Sequence, residues 1–237
     1  MNRPQAVVFD LDNTLYEYKN CNKVAQNELI GFLIGMTGLK KNKVLKYLLE
    51  ARDDVKSKID GGSSHSRLLY IHRFFQKVGI KVEPRIILQA EGLYWNTFFR
   101  EMKIASGAKE FVSRLRIEGI KTVLITDLTL EIQLKKLIRL DIDRQFDLII
   151  SSEEVGEDKI SNKPFEVLKK EINDAISSIW FIGDSMYDFP TSQLFESQEF
   201  FLSPFINKKM PFKYHKIENY NDMSTILDDL IQQKSSY

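Results

Sequence analysis

The sequence predicts an α/β fold, a doubly wound parallel sheet with a block of helices inserted after its first strand. Three observations carry this expectation. Short apolar runs alternate with helical periodicity over the second half of the chain, the pattern of repeated strand–helix units. Several of those runs end abruptly in polar residues. Between about Tyr16 and Ile104, by contrast, only helical periodicity is found.

The elements follow in order. Ala6-Val7-Val8-Phe9 reads as a short buried strand that runs out into Asp10-Leu11-Asp12-Asn13-Thr14. Val24, Ile30, Leu33 and Ile34 suit one helix of the insert, and Val44, Leu45, Leu48 and Leu49 a second. Leu68, Leu69, Ile71, Phe74 and Phe75 suit a third. A fourth starts at Pro84, a favoured first-turn residue, and runs through Trp95, Phe98 and Phe99. From Ser106 onward strands and helices alternate: helix 109–117 stopped by Gly119, strand 121–126, helix 130–140 and strand 146–150. There follow a helix opened by Pro164, strand 179–183, a short helix after Asp188, an edge strand 199–202 and a closing helix 223–232.

Composition narrows the class. With 237 residues, 43% hydrophobic and 28% charged, the chain has the balance of a globular protein with one good core and room for a smaller second one. A net charge of +1 argues against a broad nucleic-acid surface. Cys21 is the only cysteine, so no internal disulfide forms. The chain passes from Met1 almost directly into its first strand, and the apolar stretch 29–36 holds two glycines and is too short for a bilayer. A cytoplasmic protein without membrane or nucleic-acid partners is expected, as a monomer or homodimer.

The polar residues at the strand ends carry the chemistry. Two acids two positions apart point the same way out of a strand end, and like charges that close call for a cation or a shared proton. The strand Val123-Leu124-Ile125 ends in Thr126-Asp127, and Ile179-Trp180-Phe181-Ile182 ends in Gly183-Asp184-Ser185-Met186-Tyr187-Asp188. Lys163 stands just before Pro164 at a predicted helix start. Acids for a hard cation, a hydroxyl, a lysine and helix-start amides together make a phosphate site.

Asp-x-Asp-x-Thr at 10–14, the apolar run ending in Thr126, Lys163-Pro164 and Gly-Asp-x-x-x-Asp at 183–188 resemble, in order, the four motifs of the haloacid dehalogenase-like (HAD) superfamily. The resemblance implies a Rossmann-like core from residues 1–15 and 105–237, with 16–104 as a helical C1-type cap. It also implies a Mg²⁺-dependent phosphatase acting on a small phosphorylated metabolite, a sugar phosphate or nucleotide monophosphate. Asp10 would be the nucleophile and Asp12 the acid/base, while Thr126, Lys163 and the Asp127 amide would grip the phosphoryl oxygens. Asp10, the Asp12 carbonyl, Asp184 and Asp188 would surround the metal. An acid at Asp12 favours phosphoryl transfer over the family's dehalogenases, whose halide leaving group needs no proton. Where many relatives carry Asn or Gly, this chain has Asp127, an added negative charge unless its side chain turns away or meets a cation. In the cap, the polar loop Gly61–Arg67 offers His65 and Arg67 as contacts to the rest of the substrate. A phosphomutase and a receiver-like phospho-ligand module are the alternatives.

Overall fold

The computed structural model describes residues 1–172, 176–206 and 209–235, and of 233–235 only the backbone. β1 (Ala6–Phe9) is followed by four helices, α1 (Tyr18–Thr37), α2 (Lys41–Lys56), α3 (Arg67–Val78) and α4 (Pro84–Glu101). The second half contains α5 (Ala108–Ile117), β2 (Lys121–Thr126), α6 (Leu130–Arg139), β3 (Leu148–Ser151), α7 (Ser152–Val155), α8 (Lys163–Glu171) and β4 (Ser178–Gly183). β5 (Ser197–Leu202), β6 (His215–Lys216) and α9 (Tyr220–Ser235) complete it. The strands form one parallel sheet in the order β3-β2-β1-β4-β5-β6. Among the described residues no helix is long and apolar enough to cross a membrane.

Both sheet faces are covered, which is why these strands read as unbroken apolar runs. Val7 and Phe9 of β1 face one core with Trp180 and Ile182, continuous with the helices of the insert through Leu29, Leu33, Trp95 and Phe98. Ala6 and Val8 face the other, against Phe165 and Leu168 of α8. The insert leaves and re-enters side by side: Tyr16 bridges Ile104 in antiparallel fashion, and Ala105 N–H donates to the Leu15 carbonyl at 2.8 Å.

Three expectations change. The strand ending at Leu202 is not an edge, because β6 pairs outside it, Phe201 opposite His215. With only two residues, β6 has no periodicity to read. No helix follows Asp188. Instead a single 3₁₀ turn, Met186–Asp188, ends there and Phe189 is extended, as expected of a residue before a proline. The loop around Gly61 contains another 3₁₀ turn, Gly62–His65.

Candidate active site

Strand order reverses at β1, flanked by β2 on one side and β4 on the other, and ligands of doubly wound sheets lie beyond the carboxyl ends at such a point. Phe9 is level with Leu124 and Ile182, so Asp10, Thr126 and Asp184 emerge along one edge. Asp10 is 6% exposed, and its Oδ2 accepts from the Thr14 hydroxyl at 2.9 Å. Between them the chain turns through Asn13 in the left-handed region, φ 57°, which Asn tolerates better than most residues. Asn13 Nδ2 then donates to Asp184 Oδ2 at 3.2 Å, tying β1's loop to that of β4.

The β4 loop is folded by one of its own acids. Asp188 Oδ2 accepts from the backbone N–H groups of Asp184 (2.8 Å) and Ser185 (2.7 Å). A Cβ on Gly183 would stand 2.7 Å from Asp188 Cγ, so only glycine lets the two approach.

The lysine at the strand ends is Lys159. Its Nζ lies 2.5 Å from Asp10 Oδ1 and 2.5 Å from Asp188 Oδ1, and its side chain is 5% exposed. Lys163, expected in this place, is elsewhere. It is 45% exposed and pairs with Glu157 Oε1 at 2.8 Å. The reason is local: Lys163-Pro164 forms the first turn of α8 and Lys163 points to solvent, whereas the preceding 3₁₀ turn, Lys159–Ser161, carries Lys159 inward. Asp127 resolves its own charge conflict by turning to this turn, its Oδ1 accepting from the Lys159 backbone N–H at 3.0 Å. Thr126 is buried, and its hydroxyl is held by Gln133 Nε2 from α6.

Asp12 stands apart from the other acids. Lys136 Nζ contacts both its oxygens, at 2.6 and 2.8 Å, and the Tyr16 hydroxyl donates to Oδ1 at 2.5 Å. No motif of the sequence singles out Lys136 among the chain's many lysines. Its place on the buried face of α6, beside Ile132, Gln133 and Leu137, was the available signal.

From the insert, His65 Nε2 meets Asp158 Oδ2 at 2.9 Å. The Arg67 guanidinium donates to the Tyr18 hydroxyl (2.8 Å) and the His65 carbonyl (3.1 Å), over the rings of Tyr70 and Tyr94. Asp10, Asp12, Thr126, Asp127, Asp184, Asp188, His65, Arg67 and Lys159 line one cavity of about 300 Å³. Of the expected site residues, only Lys163 is absent from it.

A family model described as haloacid dehalogenase-like hydrolase matches residues 4–193. The chain belongs to that family. It is 30% identical over 188 residues, 76% of this chain and 77% of the other, to ribulose-1,5-bisphosphate 5-phosphatase of Halopiger xanaduensis. To glyceraldehyde 3-phosphate phosphatase of Methanopyrus kandleri it is 27% identical over 185 residues, 77% of this chain and 76% of that one. The HAD-hydrolase YfnB from Bacillus subtilis, solved bound to magnesium, shares the fold with a TM-score of 0.67 at 17% identity, covering 96% of this chain and all of that one. The chain is thus an HAD-like phosphoric monoester hydrolase.

The electrostatics of this hydrolase ask for more positive charge than the chain provides. One oxygen from each of Asp10, Asp184 and Asp188 lies within 4.8 Å of the others, and the Lys159 ammonium stands between Asp10 and Asp188. Burial pushes the Asp10 carboxyl well above its ordinary range; Lys159 opposes the rise, and Asp188 and Asp184 add to it. Asp184 is pushed up to about 7, by burial first and then by Asp188. Burial alone would lower Lys159, but the facing carboxylates of Asp10 and Asp188 raise it, so it stays protonated. Three hard oxygen donors with surplus negative charge fit a small divalent cation.

Proposed function

We propose that this hydrolase removes phosphate from small sugar phosphates through an aspartyl-phosphate on Asp10, with α1–α4 of residues 16–104 acting as a C1-type cap. One observation carries the reading: a buried carboxylate at the topological switch point, backed by Lys159 and by two further acids from the β4 loop. Both curated relatives named above act, by their names, on sugar phosphates, and a cavity of about 300 Å³ suits leaving groups of that size.

In the first half-reaction an Asp10 carboxylate oxygen attacks phosphorus in line, forming the Asp10 O–P bond as the ester P–O bond breaks. Asp12 gives its proton to the departing alkoxide. In the second, Asp12 takes a proton from water as that water attacks phosphorus, and Asp10 leaves as a carboxylate. Lys159, the Thr126 hydroxyl and the Asp127 amide hold the equatorial phosphoryl oxygens, the positioning and charge neutralisation that dominate phosphoryl transfer. Asp10, the Asp12 backbone carbonyl, Asp184 and Asp188 would hold Mg²⁺, whose charge offsets that of the phosphate when bound. His65 and Arg67 face the remainder of the substrate.

The test is phosphate release from a panel of triose, pentose and hexose phosphates, bisphosphates and nucleotide monophosphates with Mg²⁺. Sugar phosphates should be turned over fastest, and Asp10→Asn should abolish turnover of all. Undiminished activity in Asp10→Asn would remove the nucleophile, and a clear preference for nucleotides would remove the substrate class.

A further inference from the structure

Asp12 carries the proton in the reaction proposed above, so whatever holds its carboxylate decides where that proton is delivered. Lys136 does so from a place where a lysine is costly. Its side chain is 0% exposed, and taking an ammonium wholly out of water is tolerated only when its charge is answered. One carboxylate answers it on one side. On the other, the Nζ lies 5.8 Å from the ring centre of Tyr16, 5.6 Å from Tyr18, 5.9 Å from Trp95 and 5.5 Å from Phe98. Lys136 belongs to α6 beside the sheet, whereas Tyr18 belongs to α1 and Trp95 and Phe98 to α4, in the helical insert. Tyr16 sits where the chain crosses between the two, its backbone bridging Ile104.

We propose that Lys136 is a positioning residue: boxed in by aromatic rings of the insert, it fixes the Asp12 carboxylate, so that the acid is aligned only while α1 and α4 cover the core. The physical basis is the enclosure. With the rings in place the ammonium is dry, and Asp12 Oδ1, accepting from both Lys136 and Tyr16, is held in one orientation while Oδ2 is left to carry the proton. With the insert lifted away the Lys136–Asp12 pair becomes a hydrated surface ion pair, weak and free to rotate. Closure over a substrate and readiness of the proton donor are then one event. This inference rests on the reading of Asp12 as the acid, and the experiment separates the two.

Leaving groups differ in their need for that proton. An alkoxide must be protonated as it departs, whereas p-nitrophenolate, a weak base, departs without help. The measurement is therefore kcat/KM for p-nitrophenyl phosphate and for the fastest alkyl phosphate of the panel. The comparison covers wild type, Asp12→Asn, Lys136→Met, Lys136→Arg and Phe98→Leu. Asp12→Asn should lower the alkyl-to-aryl ratio. Lys136→Met should lower it in the same direction by about tenfold or more, a share of the 10²–10⁴ that general acid catalysis contributes. Lys136→Arg should restore most of the ratio, and Phe98→Leu, at a residue that does not line the cavity, should lower it as well. A purely structural lysine would lower both substrates together or neither. If the ratio moves in Asp12→Asn but not in Lys136→Met, the proposal is overturned and the acid stands. If it moves in neither, both fall. Should Lys136→Met not fold, Phe98→Leu decides alone, and an unchanged ratio there overturns the proposal.

Discussion

At the scale of single residues, Lys159, which opens the 3₁₀ turn, and Lys163, which opens α8, make opposite predictions. Lys159 is the ammonium in contact with Asp10 and Asp188, whereas Lys163 is half-exposed and paired with Glu157. Lys163→Ala should leave kcat/KM near wild type. Lys159→Ala should lower it by about 10²–10³, the cost typical of removing one preorganised charge-stabilising group. Equal losses would restore Lys163 to the site. The acids were legible because they end apolar runs, where strand geometry fixes their direction. The lysine was not, because four residues in an irregular turn decide which of two side chains points inward. Cys21 gives a second test, this one pH-dependent. It is 2% exposed, and burial pushes its thiol up to about 11. The thiolate appears only as pH rises toward that value, so at pH 8 about one molecule in a thousand carries it. Treatment of the native protein with iodoacetamide at pH 8 should leave both Cys21 and activity intact. Rapid labelling with inactivation would mean that the thiol is accessible.

At the scale of elements, the sheet and the helical insert could be read from periodicity, but how the insert's loop meets the core could not. Gly62 shows why. It opens the 3₁₀ turn that ends at His65, and a Cβ there would meet the Leu128 carbonyl oxygen, Glu153 Cβ (2.6 Å) and Glu153 N (2.7 Å). The Ser63 hydroxyl donates to Glu153 Oε1 at 3.1 Å across the same contact. A run of glycine and serine reads as a free loop, yet here the missing side chain permits backbone to lie against backbone. Gly62→Ala should lift the turn, displace His65 and Arg67, raise KM for the sugar phosphate, and cost about 1–3 kcal/mol of stability through overpacking. Gly31 is the control. It lies within α1 with nothing near its missing Cβ, so Gly31→Ala should stabilise by about 0.5–1 kcal/mol through helix propensity alone. Chemical denaturation of both variants with KM measurements checks the pair, and unchanged stability and KM in Gly62→Ala would show that the turn does not bear on the core.

At the scale of the whole molecule, the site joins parts of the chain that are far apart in sequence. Asp10 follows β1, Asp184 and Asp188 follow β4, Lys159 comes from the crossover between β3 and β4, and the insert closes above them. In the unfolded chain these acids are separate and hydrated and hold a divalent cation poorly. In the folded protein the oxygens of Asp10, Asp184 and Asp188 are already within 4.8 Å of one another. A cation that binds only the folded state raises stability by mass action, about 2.7 kcal/mol at a hundred times its dissociation constant. For a chain of this length that corresponds to a rise of about 5–10 °C in Tm. Saturating Mg²⁺ should therefore raise Tm by that amount over the EDTA-treated protein, and EDTA should abolish phosphate release, with Mg²⁺ restoring it. Asp184→Asn should lose the Mg²⁺ increment while keeping an EDTA-state Tm at or above that of wild type, because it removes a carboxylate that burial, and after it the neighbouring Asp188, pushes up to about 7. An equal Tm with and without Mg²⁺, together with full activity in EDTA, would show that Lys159 alone neutralises these acids.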